Sequence, residues 1–135
     1  MRKTITALAF AGLFAVAGAT GYAAAQAANY PVFFQPWSAA IDAHGTSTIK
    51  IAAKAALANP NDPVVVTGSA DTVGGEAANK DMALTRAQVV ADALVADGVA
   101  QSRIAIVSTG ELASPGVAAG SYAQFSRRVL IKVGN

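Results

Sequence analysis

The stretch from Val64 to Ala87, VVVTGSADTVGGEAANKDMALTRA, constrains this chain more than any other. Val64 to Thr67 is a continuous β-branched run, which suits a strand at the centre of a sheet or one covered on both faces. Gly68 breaks the run into a polar, glycine-bearing turn that contains Asp71. From about Asn79 to Ala96 the spacing becomes helical, with Ala83, Ala87, Val90 and Leu94 on one side and Gly98 as the stop. A strand, a turn at its C-terminal end and a helix cannot bury their apolar surfaces alone. The remaining chain must supply further layers.

Two segments precede it. Val32-Phe33-Phe34, stopped by Pro36, reads as a first strand after a loose lead-in from Ala28 to Pro31, and Ser38 suits a turn or a helix N-cap. Between Ile41 and Ala58 the apolar residues Ile49, Ala52, Ala53, Ala56 and Leu57 recur at helical spacing, and Asn59-Pro60 ends the helix. Two more segments follow. Arg103 to Val107 reads as a third strand, a loop carries Gly110, Glu111, Pro115, Gly116 and Gly120, and Arg128 to Val133 closes the chain as a last strand. The order βαβαββ predicts an α/β (α+β) two-layer sandwich, a small mixed sheet with two main helices on one face.

The first residues belong to a different pattern. Arg2 and Lys3 precede an apolar run from Ile5 to Ala17, and small residues end in Ala25-Gln26-Ala27. This is the layout of a secretory signal peptide with a cut before Ala28, so residues 1–27 are expected to be a signal and residues 28–135 the domain. The run is short for a membrane span of ~20 residues, and no transmembrane segment is expected in the mature chain. Removing the signal leaves eight of the ten basic residues against eight acidic ones. The mature chain is then formally neutral, without the basic tract that nucleic acid requires. The sequence contains no cysteine, which excludes disulfides, thiolate metal sites, thiol nucleophiles and a lipidated cysteine.

Catalysis finds little support. His44 is the one histidine, it belongs near the start of the first helix, and no G-x-S-x-G elbow accompanies it. One histidine and scattered carboxylates do not make a metal set, and the turn lacks the lysine and hydroxyl of a phosphate-binding loop. Asp71 and Glu76 share the turn, but nothing raises one of them as an acid. No cofactor, no metal and no enzymatic activity are expected.

The turn does present an acid, and Arg86 follows it by fifteen positions. Arg86 lies at the edge of the helix's apolar stripe, which directs its stem along the core and its guanidinium toward the turn. Asp71 suits an ammonium and Arg86 a carboxylate gripped through two N–H groups, so the pair suits a zwitterion. The alternative is an Asp71–Arg86 ion pair that merely ties the turn to the helix, and spacing alone favours it.

Several motifs now align in order. Asp71-Thr72-Val73-Gly74, Asn79, Arg86-Ala87, Val90, Leu94 and Gly98 resemble T-D-x-x-G-x-x-x-x-N-x-x-L-S-x-x-R-A-x-x-V-x-x-x-L-x-x-x-G. Val99 to Ile104, Gly110-Glu111 with Pro115, and Arg127-Arg128-Val129 with Ile131 continue the likeness, and Val32-Phe33-Phe34 with Ser38 and Ile41 resembles F-D-F-D-S-x-x-L. The chain thus resembles the OmpA-like domain of OmpA C-terminal regions, peptidoglycan-associated lipoproteins and MotB-type stator proteins. That resemblance implies non-catalytic binding of peptidoglycan in the periplasm, in association with the outer membrane or cell wall, and an outer-membrane or envelope protein as a further partner. It assigns the ammonium of the stem-peptide diaminopimelate to Asp71 and its carboxylate to Arg86. Asn79 would shape the pocket, Thr72 and Val73 would lend backbone contacts, and Arg128 would sit beside it.

The chain departs from the pattern at defined places. The family's G-H-T-D is Gly68-Ser69-Ala70-Asp71, Gln35-Pro36-Trp37 replaces D-F-D, Ala83 and Ser126 stand for serine and asparagine, and Ser114 is an extra residue. Each loss removes a hydrogen-bonding group, worth about 0.5–1.5 kcal/mol. These departures motivate the alternative of a structural or protein-interaction module that kept the fold and lost the ligand.

Overall fold

The computed structural model describes residues 27–135. The expected export signal, apart from Ala27, lies outside the described residues. The chain runs β1 (Ala28–Phe33), α1 (Ala43–Ala58), β2 (Val64–Ala70), α2 (Glu76–Ala96), β3 (Ile104–Glu111) and β4 (Arg128–Val133), with a 3-10 turn before each of the last two strands. The sheet order is β1-β4-β2-β3, with β4 antiparallel to both its neighbours and β2 parallel to β3. The fold is therefore the α+β sandwich with a mixed four-stranded sheet that the spacing predicts.

Alternation of burial shows which face carries the helices. Val64 and Val66 on β2, and Val129, Ile131 and Val133 on β4, are buried, whereas Val65, Thr67 and Leu130 between them are only half-buried. The buried set joins Ile49, Ala52, Ala53 and Ala56 of α1 and Ala87, Val90 and Leu94 of α2 in one core. The β-branched run of β2 thus marks a central strand rather than one covered on both sides. Among the described residues no helix is long and apolar enough to cross a membrane.

Several local expectations shift. β1 begins at Ala28, not Val32, because Ala28 to Phe33 pair residue for residue with Val133 to Arg128 of β4. Pro31 fits there because β1 is an edge strand. β3 runs on to Glu111, where the sequence suggests a loop, because the parallel pairing with β2 resumes after an irregularity at Gly68/Ser69, with Ser69 against Gly110 and Ala70 against Glu111. Leu57 is half-exposed. At eight residues from Ile49 it is turned about 80° off the stripe, too far to reach the core.

Two contacts set the angle of the helices. The Asp42 carboxylate caps α1 by accepting from the Gly45 N–H at 2.7 Å, so Ser38 is a turn residue whose hydroxyl accepts from the Ala40 N–H at 3.0 Å. α2 crosses β2 at Gly68, where a Cβ would stand 1.9 Å from the Ala83 carbonyl oxygen and 3.0 Å from the Ala87 methyl. Only glycine on the strand and alanine on the helix allow so close an approach. That approach brings Arg86 over the end of β2.

Candidate functional site

The turn after β2 and the first half of α2 hold most of the predicted site residues. α2 starts at Glu76, so Asn79 is already inside the helix, and its backbone N–H donates to the carbonyl of the N-cap Gly75 at 3.0 Å. One side of the helix at that level is Asn79, Ala83, Arg86 and Ala87, all buried. Asp71 is 6% exposed and Arg86 1%. Two charges are therefore held almost dry within one strand-turn-helix unit, which requires that each be met by polar partners.

Those partners are not each other. Among the described residues Arg86 is in no ion pair. Its Nε donates to the Ser38 carbonyl at 2.8 Å, Nη1 to the Ser69 carbonyl at 3.3 Å and Nη2 to the Gln35 carbonyl at 3.1 Å, with the guanidinium carbon 5.4 Å from the Phe34 ring centroid. Arg86 thus ties α2 to the loop after β1 and to the end of β2. Burial pushes its guanidinium below the ordinary arginine pKa, Asp71 acts in the opposite direction, and Arg127 adds to the lowering. One negative and two positive charges share this small volume.

Arg127 is the partner of Asp71. Its Nη1 donates to Asp71 Oδ2 at 2.8 Å, and its Nε donates to the Phe34 carbonyl at 3.0 Å. The same Oδ2 accepts from the Ala123 N–H at 3.2 Å, and Oδ1 accepts from the Val73 N–H at 3.4 Å. Both ion-paired side chains are at least nine-tenths buried. Spacing along the chain assigns no role to Arg127, and the family resemblance puts Arg128 beside the pocket. Arg128 lies with its guanidinium 4.1 Å from the Phe125 ring centroid. Counting back from the buried Val129 and Ile131 in steps of two puts Arg127 on the core side and Arg128 on the other. That alternation is the signal that could have found it.

The remaining residues are brought to the same end of the sheet in different ways. Thr72 is half-buried, and its hydroxyl accepts from the Gly120 N–H at 2.8 Å. Asn79 donates from its side-chain amide to the Glu111 carboxylate at 2.8 Å, which links α2 to the end of β3. Trp37 lies across Gly74, where a Cβ would meet the indole at 2.5 Å. The tryptophan itself holds a left-handed φ of 54°, and Gly74 one of 91°.

The segment from Leu112 to Ser126 covers Asp71. It is held by the Leu112 N–H on the Ala70 carbonyl at 2.8 Å, by the Thr72 and Asp71 contacts above, and by a knot of hydroxyls. In that knot Ser69 Oγ lies 2.7 Å from the Ser126 carbonyl, and Ser114 Oγ lies 2.5 Å from Ser126 Oγ. Three of the departures from the family pattern, Ser69, Ser114 and Ser126, therefore form one contiguous hydrogen-bonded set. On its outer side the segment forms a largely apolar groove of about 470 Å³ lined by Pro115, Val117, Tyr122, Ala123 and Phe125, among others. Ala123 lines this groove and also donates its backbone N–H to Asp71.

Comparison with known proteins finds a family and several similar folds. The sequence model described as OmpA family matches residues 33–128. The fold is similar to that of the peptidoglycan-associated lipoprotein from Burkholderia pseudomallei, with 24% identity and a TM-score of 0.68 over 76% of this chain and 89% of that one. It is similar also to the OmpA-like domain of FopA1 from Francisella tularensis subsp. tularensis SCHU S4, with 22% identity and a TM-score of 0.70 over 79% and 71% of the two chains. The periplasmic domain of Helicobacter pylori MotB (residues 78-256) is a third, with 21% identity and a TM-score of 0.62 over 81% and 75%. None of the curated proteins matches the chain by sequence.

Proposed function

The chain belongs to the OmpA family, and on that premise we propose that it binds peptidoglycan without cleaving it, by gripping the free ammonium and carboxylate of the stem-peptide diaminopimelate. Asp71 accepts the ammonium and Arg86 donates to the carboxylate. Asn79, held by Glu111, shapes the wall of the site, Thr72 and Val73 lend backbone contacts, and Arg128 stands at its rim. The protein reaches the periplasm through its export signal and works there in envelope organisation, against the cell wall or the outer membrane.

One observation carries this reading. An acid and two guanidiniums are concentrated at the end of β2, and the segment that covers the acid, Leu112 to Ser126, is held there by only a few hydrogen bonds. Support comes from the name of a protein with a similar fold, the peptidoglycan-associated lipoprotein of Burkholderia pseudomallei. Sedimentation of the purified protein with diaminopimelate-type sacculi tests the proposal. The wild type should pellet, and Asp71→Ala and Arg86→Ala, each checked for native circular dichroism, should not. Equal pelleting of all three would sink it.

A second reading has its own observation. Arg86 spends three N–H groups on backbone carbonyls and Asp71 is already paired, which is how a charge set would look if it served only to hold loops to a sheet. In that reading the chain is a structural or protein-interaction module. Failure of the wild type itself to pellet with sacculi would favour it.

A further inference from the structure

Arg127 already pairs with Asp71 as a ligand ammonium would. Its Nη1 is 2.8 Å from Asp71 Oδ2, an oxygen that also accepts from Ala123 N–H, and the Asp71 and Arg127 side chains are 8% and 9% exposed. An ammonium that takes this oxygen must displace the guanidinium. Displacement has a consequence that depends on the ligand. A buried guanidinium stripped of its carboxylate is an unpaired charge in a poorly hydrated place, which is strongly unfavourable.

A ligand bearing one sign of charge cannot resolve this. A diamine neutralises Asp71 but strands Arg127, and a diacid has nothing to offer Asp71 in exchange. A zwitterionic amino-acid end resolves both at once, because its ammonium takes Asp71 while its carboxylate takes the freed Arg127 beside Arg86. One internal ion pair is then exchanged for two intermolecular ones, with no charge left over. The two guanidiniums are held on neighbouring carbonyls of one loop, Arg127 Nε on Phe34 at 3.0 Å and Arg86 Nη2 on Gln35 at 3.1 Å. Resting on the binding function proposed above, we propose that Arg127 is the specificity-determining residue of the site, an internal surrogate for the ligand ammonium that admits only ligands carrying both charges.

The experiment is a calorimetric titration of the purified protein with three related compounds: meso-2,6-diaminopimelate, its doubly decarboxylated form pentane-1,5-diamine, and its deaminated form pimelate. The wild type should bind diaminopimelate at least about thirtyfold more tightly than either single-sign compound, the scale set by truncating one partner of a buried charge pair. Arg127→Gln should narrow that ratio at least several-fold for pentane-1,5-diamine, because no guanidinium is then stranded while Arg86 still favours a carboxylate, and Arg127→Lys should keep the discrimination. A wild type that binds the diamine as tightly as diaminopimelate overturns the proposal whatever the variants do. So does an Arg127→Gln protein that keeps the wild-type ratio, and in that case the binding function itself survives. Absence of diaminopimelate binding by both wild type and Arg127→Gln overturns the binding function, and the role of Arg127 with it.

Discussion

Asp71 and Arg127 stand 56 positions apart in the chain and meet at 2.8 Å under the segment that closes the end of β2. The contact joins the turn after β2 to the entry of β4, and Arg127 carries it on to the Phe34 carbonyl after β1. One ion pair thus gathers three loops around the place where the sequence sets its acid.

Removing Asp71 should therefore cost more than a surface charge would. Asp71→Ala leaves Arg127 buried and unpaired, and breaking a buried pair from one side costs about 3–5 kcal/mol. That is a large share of the roughly 5–15 kcal/mol that holds a domain together. Urea unfolding should show this loss for Asp71→Ala. Replacing both members together, as in Asp71→Leu with Arg127→Met, should recover much of it, since no charge is then left alone. Equal losses in the single and double variants would contradict the pair's role.

Arg86 should behave as a structural cross-brace even with no ligand present. Arg86→Met keeps much of the stem but leaves the Ser38, Ser69 and Gln35 carbonyls without their donor. With charged hydrogen bonds worth about 1.5–3 kcal/mol each, a loss of at least about 3 kcal/mol is expected. Amide exchange should quicken first around Gln35 to Ser38, the loop that Arg86 holds to α2. Unchanged exchange there would show that the three hydrogen bonds contribute little.

Gly68→Ala should be among the most damaging single-methyl additions in the chain. The added Cβ would lie 1.9 Å from the backbone oxygen of Ala83, which cannot swing away as a side-chain tip could. Overpacking usually costs about 1–3 kcal/mol, and a clash with backbone lies at or beyond the upper end. Gly75→Ala is the control, because a Cβ there meets nothing within 4 Å. A thermal melt should separate the two variants clearly. Similar midpoints would refute the close approach of α2 to β2.

The fold was legible because its signals are local. The β-branched run at Val64, the helical spacing of Ile49 to Ala56 and of Ala83 to Leu94, and the stops at Asn59-Pro60 and Gly98 each speak for their own segment. The extra turn of α2 before Asn79 and the start of β1 at Ala28 were less legible. Gly75 caps the helix without a side-chain hydrogen bond, and β1 is defined by pairing with β4 rather than by its own composition. The site was legible only in part for a related reason. Asp71, Asn79 and Arg86 lie on one contiguous strand-turn-helix unit, where spacing along the chain translates into position. The partnerships of Asp71 with Arg127, of Asn79 with Glu111 and of Ser69 with the Ser126 carbonyl cross 32 to 57 positions. No spacing rule reaches that far, and only the alternation along β4 hinted that Arg127 turns inward.

Diaminopimelate binding is tested most sharply by titrating the purified wild-type protein with meso-diaminopimelate, followed by calorimetry and by the emission of Trp37. Trp37 is the one tryptophan of the chain and lies half-exposed across Gly74, three residues from Asp71. Binding through Asp71 should give a saturable heat with one site per chain and a parallel change in Trp37 emission, both abolished in Asp71→Asn. No heat and no change in emission with the wild type, at concentrations up to millimolar, would contradict it.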